Sequence, residues 1–190
     1  GTFFPLEASI AKFESGDDWV LVATLQDLTE IKKSQEELTR QATHDPLTGL
    51  PNRALLHERI TNALDRSKRR EDNLALLFVD LDGFKAVNDS HGHDAGDYLL
   101  KKLSSRMLES VRPGDTVARF AGDEFVVLCE NVSEPTNMAT LADRLNEVMR
   151  TPVEYNSIML GVTASIGIAF GHGTTHSADD LLRYADNAMY

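Results

Sequence analysis

The chain has a single cysteine, Cys129, among 190 residues, so no internal disulfide can staple it, and its composition fits a reducing cytoplasm. It also lacks a basic excess: 19 Lys and Arg against 30 Asp and Glu leave a formal net charge of −11. Nonspecific binding to DNA, RNA or anionic lipid needs a basic face, so nucleic acid is excluded as a partner. The longest apolar run spans only residues 74–79, far short of the roughly 20 residues that cross a bilayer, and no signal peptide opens the chain. Low-complexity segments and internal repeats are absent as well. Hydrophobic content of 42% with 26% charged residues is that of an ordinary globular protein, not a disordered one. The length holds one ordinary domain plus an appendage, and the abrupt beginning and end suggest a piece of something larger.

Residues 2–10 and 19–25 read as strands around a Gly16-Asp17-Asp18 turn. A lone hairpin of this size is marginal in water, which predicts that it belongs to a sheet incomplete here. From Leu28 the period changes. Leu28, Ile31, Gln35, Leu38 and Ala42 are spaced 3, 4, 3 and 4 apart, with charged residues between them. That heptad seam suits a helix pairing with a partner helix, although the same pattern fits a helix docked on its own domain. Residues 45–53 are dense in turn formers, and a helix is expected over 53–70 with Leu56, Ile60 and Leu64 on one face. The apolar run at 74–79 predicts a strand buried on both faces. A helix over 95–111, strands at 116–120 and 125–129 joined by a tight hairpin, a helix over 137–149, a strand over 162–170 and a helix over 178–190 complete the order. The fold class expected is α/β or α+β, a central sheet flanked by helices and related to the ferredoxin-like arrangement, with an N-terminal β-hairpin fragment and a linker helix.

Carboxylates gather where the strands end. The strand at 74–79 runs into Asp80-Leu81-Asp82; alternation puts Asp80 and Asp82 on one side and leaves Leu81 to offer its backbone carbonyl. Asp123 and Glu124 occupy the hairpin tip. If the hairpin pairs beside the central strand, four acids meet at one end of the sheet. Like charges at close range repel and raise one another's pKa, and a hard divalent cation resolves the conflict. Mg²⁺ takes one or two carboxylates and fills its octahedron with water and substrate phosphates, so an acidic chain can still bind a nucleotide. Acids in turns are commonplace when solvated, but here Gly83 and Gly122 permit close backbone approach and Lys85 stands near as a phosphate partner. The glycine-rich stretches match neither a P-loop nor the dinucleotide fingerprint.

Four segments together resemble the successive signatures of the GGDEF diguanylate cyclase family: Asp45-Pro46-Leu47-Thr48-Gly49-Leu50-Pro51-Asn52-Arg53, residues 78–89 (FVDLDGFKAVND), Gly92-His93-Asp94-Ala95-Gly96-Asp97 and Arg119-Phe120-Ala121-Gly122-Asp123-Glu124-Phe125. The resemblance covers residues 44–190 and implies the palm-type sheet of nucleotidyl cyclases. It implies condensation of two GTP into cyclic di-GMP and two pyrophosphates by a homodimer, each 3′-hydroxyl attacking the other protomer's α-phosphate. It also implies Mg²⁺ or Mn²⁺ held by Asp80, the Leu81 carbonyl and Asp123, with Glu124 assisting the metal or deprotonating the 3′-hydroxyl. Lys85 would contact phosphate, and Asn88 and Asp97 would read guanine through its O6 acceptor and its N1–H and N2–H donors. His93 would lie near the base or ribose, or simply structure the Gly92 turn. Arg112 and Asp115, an Arg-x-x-Asp upstream of the hairpin, match the family's product-inhibition site for cyclic di-GMP, with Arg144 as a candidate further arginine.

The sequence departs from the family pattern twice. Ala121 replaces the first signature glycine, where a methyl could crowd the nucleotide or strain a backbone needing positive φ, predicting reduced or normal activity, not abolition. The chain also stops at Tyr190, before the lysine and arginine that clamp GTP phosphates in family members, which predicts weak GTP binding by this piece. Residues 1–28 resemble the end of a PAS sensor domain, and 29–43 a signalling helix that aligns the dimer together with the GGDEF faces. Residues 45–56 resemble composite proteins in which an EAL phosphodiesterase follows. The rival reading is a degenerate domain that binds GTP or cyclic di-GMP and regulates such a phosphodiesterase. An HD phosphohydrolase, suggested by His44-Asp45, fails for want of further ligands at useful spacing.

Overall fold

A computed structural model of the chain describes residues 4–15, 18–70, 72–173 and 175–189. The chain divides into two compact units, residues 1–42 and 43–190. In the first, β1 (Leu6–Ser15) and β2 (Asp18–Asp27) form an antiparallel ribbon, followed by α1 (Thr29–Thr43). The turn expected at 16–18 falls largely outside the described residues. The ribbon leaves Ile10, Leu21 and Leu25 exposed, as a two-stranded sheet without a second layer must. α1 buries none of its residues, and its seam positions Ile31 and Leu38 face solvent.

The second unit is built on a four-stranded antiparallel sheet in the order β4-β5-β3-β8. Its elements in sequence are α2 (Arg53–Arg70), β3 (Asn73–Asp82), α3 (Phe84–His91), α4 (His93–Ser110), β4 (Thr116–Ala121), β5 (Glu124–Val132), α5 (Pro135–Arg150), β6 (Val153–Tyr155), β7 (Ile158–Leu160), β8 (Thr163–Gly171) and α6 (Ala178–Asn187). With α3 and α4 taken together, β3-α-β4-β5-α5-β8 is the ferredoxin-like βαββαβ order. β3 is central and buried on both faces from Leu74 to Val79, as its unbroken apolar run requires. Its alternate side chains feed two cores. Ala75, Leu77, Val79 and Leu81 pack with Leu99, Leu103, Met107 and Leu145 of α4 and α5. Leu74, Leu76 and Phe78 pack with Leu56 and Ile60 of α2 and Leu181 and Ala185 of α6.

Three elements go beyond the sequence expectation. α3 has only eight residues and turns only Phe84 and Val87 inward, too few to establish a helical period. β6 and β7 have three residues each and close through Asn156 and Ser157, both at positive φ (48° and 64°) as a type I′ turn demands. α6 ends at Asn187, and the expected last residue of that helix, Tyr190, lies outside the described residues. Its first turn is fixed by a capping box between Ser177 and Asp180. α6 also approaches β8 closely: a Cβ on Gly167 would lie 2.0 Å from the Ala185 carbonyl oxygen. Among the described residues no helix is long and apolar enough to cross a membrane.

Candidate active site

The end of β3 and the β4–β5 turn bring the acids together. In the antiparallel register Asp80 is directly opposite Glu124, so the two carboxylates project from the same face of the sheet. Asp82 shares that face but is held by the neighbouring strand, accepting hydrogen bonds from Thr163 Oγ1 and Ser165 Oγ, each at 2.9 Å. Leu81 points the other way and is 1% exposed, so only its backbone can contribute to the acidic face. Burial pushes the Asp80 carboxyl above its ordinary value, and the charges of Asp123, Asp82 and Asp186 push it further. Burial likewise raises Glu124, helped by Asp80, Asp123 and Asp186, with Arg53 acting in the opposite direction. Crowded carboxylates of this kind fit a divalent cation, whose charge would relieve their repulsion. Among the described residues no three His, Cys, Asp or Glu side chains form a ready-made metal cage. Mg²⁺ itself commonly takes only one or two carboxylates and fills the rest of its octahedron with water and phosphate.

The hairpin tip is braced by residues distant in sequence. Gly122 takes φ of 47°, and the register slips between Arg119 and Ala121, so the tip bulges where Asp123 is presented. Ala121 is exposed and is not a positive-φ residue, so the methyl that replaces hydrogen there brings no backbone strain. Arg119 ties the tip to the 45–53 turn. Its Nη1 contacts both Asp45 carboxylate oxygens at 3.0 and 3.1 Å, its Nε donates to the Gly122 carbonyl at 2.9 Å, and its backbone N–H donates to the Pro51 carbonyl. Asp45 in turn accepts from the Thr48 backbone and hydroxyl. Burial pushes the Asp45 carboxyl up, but the bonds from Thr48 and Arg119 outweigh it and leave it below the ordinary carboxylate value. Phe120 meets the Phe78 ring edge-on at 5.2 Å, and the Arg53 guanidinium lies 4.6 Å from the Phe120 ring centroid.

Gly83, at φ 81°, turns the chain from β3 into α3, so Lys85 and Asn88 follow immediately behind the acids. Lys85 and Asp97 are exposed, and Asn88 is half-buried between α3 and α4. His93 opens α4 and lines, with His91, Asp94 and Tyr155, an open depression of about 580 Å³ between the α3–α4 turn and the β6–β7 hairpin. Arg112 and Asp115 are paired: Arg112 Nε donates to the carboxylate at 3.2 Å and Nη2 to the Glu130 carbonyl. With Pro113, Gly114, Glu130 and Asn131 they line a concavity of about 390 Å³. Arg144 is exposed on α5 and does not line that concavity.

Asp186 and Arg53 are neighbours of the acids, and Asp45 the partner of Arg119, that sequence patterns do not single out. Asp186 follows Ala185, whose carbonyl rests on Gly167; the one available signal was a glycine inside an apolar strand, which marks close backbone approach.

The family model described as "Diguanylate cyclase, GGDEF domain" matches residues 42–190. The chain belongs to the GGDEF family. This GGDEF domain is 44% identical over 162 residues to the bifunctional diguanylate cyclase/cyclic di-GMP phosphodiesterase MucR of Pseudomonas aeruginosa, an alignment covering 85% of this chain and 24% of MucR. It is 37% identical over 163 residues to the cyclic di-GMP phosphodiesterase NbdA of the same organism, covering 86% of this chain and 21% of NbdA. The chain thus spans about a quarter or less of the length of these curated relatives. Among solved structures, the isolated GGDEF domain of TpbB from Pseudomonas aeruginosa superposes with a TM-score of 0.74 at 37% identity, covering 77% of this chain and 86% of that one.

Proposed function

We propose that this GGDEF domain is a diguanylate cyclase that condenses two GTP into cyclic di-GMP with release of two pyrophosphates. The observation that carries the reading is the direct opposition of Asp80 and Glu124 across β3 and β5, beside Asp123 and on a buried support. Like charges are placed face to face only where a cation or a reaction repays the repulsion. Asp80, the Leu81 carbonyl and Asp123 would hold Mg²⁺, or Mn²⁺ in its place. When bound, the metal neutralises phosphate charge and favours ionisation of the attacking hydroxyl.

The chain's own residues do the rest. Lys85 pairs with the phosphates, while Asn88 and Asp97 grip the guanine edge. Glu124, beside Asp80 and Asp123 at the hairpin tip, takes the proton of the ribose 3′-hydroxyl. The 3′-oxygen then bonds to the α-phosphorus of the nucleotide on the partner protomer, and the bond to the β-phosphate breaks as pyrophosphate departs. A second transfer with the roles exchanged closes the ring. This requires two domains face to face, which the exposed Ile31 and Leu38 seam of α1 would align as a paired helix. Arg112 and Asp115 would hold the product and slow the enzyme.

Incubation with GTP and Mg²⁺ and measurement of pyrophosphate release tests the reading. Wild-type turnover is expected, with loss of nearly all of it in Glu124→Gln. Saturable GTP binding without pyrophosphate release at any protein concentration would instead favour a regulatory nucleotide binder, a reading supported by the relative NbdA, whose name is that of a phosphodiesterase.

A further inference from the structure

One buried polar atom in the second unit has an arrangement that the acids do not explain. Asn88 Oδ1 is fully buried and accepts no hydrogen bond. It occupies the space that a side chain at position 96 would fill: a Cβ on Gly96 would lie 2.0 Å from Oδ1, 3.0 Å from Asn88 Cγ and 3.1 Å from Phe84 Cζ. Gly96 is itself buried and does not adopt a positive φ, so its glycine character serves space and not backbone conformation. The notch therefore receives one end of the Asn88 amide and leaves the other to face out.

We propose that Gly96 is a positioning residue that sets the base preference of the nucleotide site by locking the Asn88 amide with its carbonyl inward. The inference rests on the assignment of Asn88 to the purine edge made above. The physical argument is an asymmetry between the two ends of the amide. An inward carbonyl leaves one acceptor unsatisfied, whereas an inward NH₂ would bury two unsatisfied donors and need more room. The outward group is thus a donor. Guanine presents an acceptor, O6, where adenine presents a 6-amino donor, so a fixed NH₂ favours guanine and meets adenine donor to donor. An amide free to rotate would accept from adenine as readily as it donates to guanine, and the preference would fade.

The experiment measures dissociation constants for GTP, inosine triphosphate and ATP with the whole chain, for wild type, Gly96→Ala, Asn88→Gln, Asn88→Ala and the double variant Gly96→Ala/Asn88→Ala. In wild type, GTP and inosine triphosphate, which share O6, bind more tightly than ATP. In Gly96→Ala the methyl expels the carbonyl, and loss of one oriented hydrogen bond lowers the GTP-to-ATP preference by about tenfold. Asn88→Gln leaves Gly96 intact but carries the amide too far to seat in the notch, so it shows the same loss even if Gly96→Ala fails to fold. Once Asn88 is alanine, adding Gly96→Ala changes affinity by less than about twofold, because the two residues act through one contact. The KM for GTP rises more than kcat falls, since binding geometry and not the reacting atoms is disturbed. A wild-type protein with no preference for O6-bearing nucleotides would sink the assignment of Asn88 itself. A wild-type preference retained within twofold by Gly96→Ala or Asn88→Gln would overturn the role of Gly96 alone.

Discussion

Replacing Asp80 by Asn should make the protein more stable and at the same time less responsive to Mg²⁺. In the β3–β5 register Asp80 stands directly across from Glu124, and Asp123, Asp82 and Asp186 add to the field on it. A directly opposed like-charge pair costs on the order of 0.2–1 kcal/mol. Asparagine keeps the shape and removes the charge, so Tm without metal should rise by about 0.4–4 °C, given about 2–4 °C per kcal/mol for a chain of this size. Metal binding works in the opposite sense. At ten times its dissociation constant a cation that binds only the folded state stabilises it by about 1.4 kcal/mol, so Mg²⁺ should raise the wild-type Tm by several degrees. In Asp80→Asn that increment should shrink to less than half, because a main ligand is gone. Thermal unfolding followed by circular dichroism, with and without Mg²⁺ and against a KCl control of equal ionic strength, reads both effects. A lower Tm for the metal-free variant, or an undiminished Mg²⁺ increment in it, would refute the view that these acids are strained in the absence of a cation.

Three further outcomes follow from the same geometry. Asp45, whose carboxyl lies below its ordinary value, contributes stability that is present above the unfolded value of 3.8 and is lost as pH falls through the lower folded value. Its pair with Arg119 is largely shielded, with side chains 17% and 15% exposed, so Asp45→Asn should cost about 2 kcal/mol at pH 7 and much less at pH 2.5 in urea unfolding; an equal cost at both would count against the ion pair. Gly167→Ala would drive a methyl into the Ala185 carbonyl and push α6 off the sheet, costing about 1–3 kcal/mol and reducing turnover as Asp186 moves; unchanged stability would contradict the close packing. Arg112→Ala should weaken inhibition by added cyclic di-GMP with little change in the initial rate, and identical inhibition curves would remove the concavity at 112–115 from the account.

What the sequence made legible depended on range. β3 could be read because six consecutive apolar residues have no other place in a fold of this size, and the β4–β5 hairpin because a glycine and an acid separate two apolar runs. The gathering of the acids at one end of the sheet follows once those two strands are set side by side, whereas the direct opposition of Asp80 to Glu124 is a matter of register that only the structure shows. The bracing did not, since Arg119 reaches Asp45 across 74 positions and Asp186 reaches the acids only because β8 carries a glycine under α6. Patterns of period 2 or 3.6 report which face a residue is on; they do not report which remote residue shares that face. α3 was invisible for a different reason, since two inward side chains in eight residues do not make a period. At Ala121 the family's glycine position suggests a positive φ, but the positive φ falls on Gly122 instead.

The most direct test is the product itself. The protein, concentrated enough for its domains to pair, is incubated with GTP and Mg²⁺, and the nucleotides are separated and weighed by mass spectrometry. Cyclic di-GMP and pyrophosphate are expected in a ratio of one to two, formed at a rate per molecule that rises with protein concentration, and absent in Asp80→Asn. Hydrolysis of GTP to GMP or GDP without any cyclic dinucleotide, or cyclic di-GMP formed equally well without Asp80, would contradict the proposed reaction.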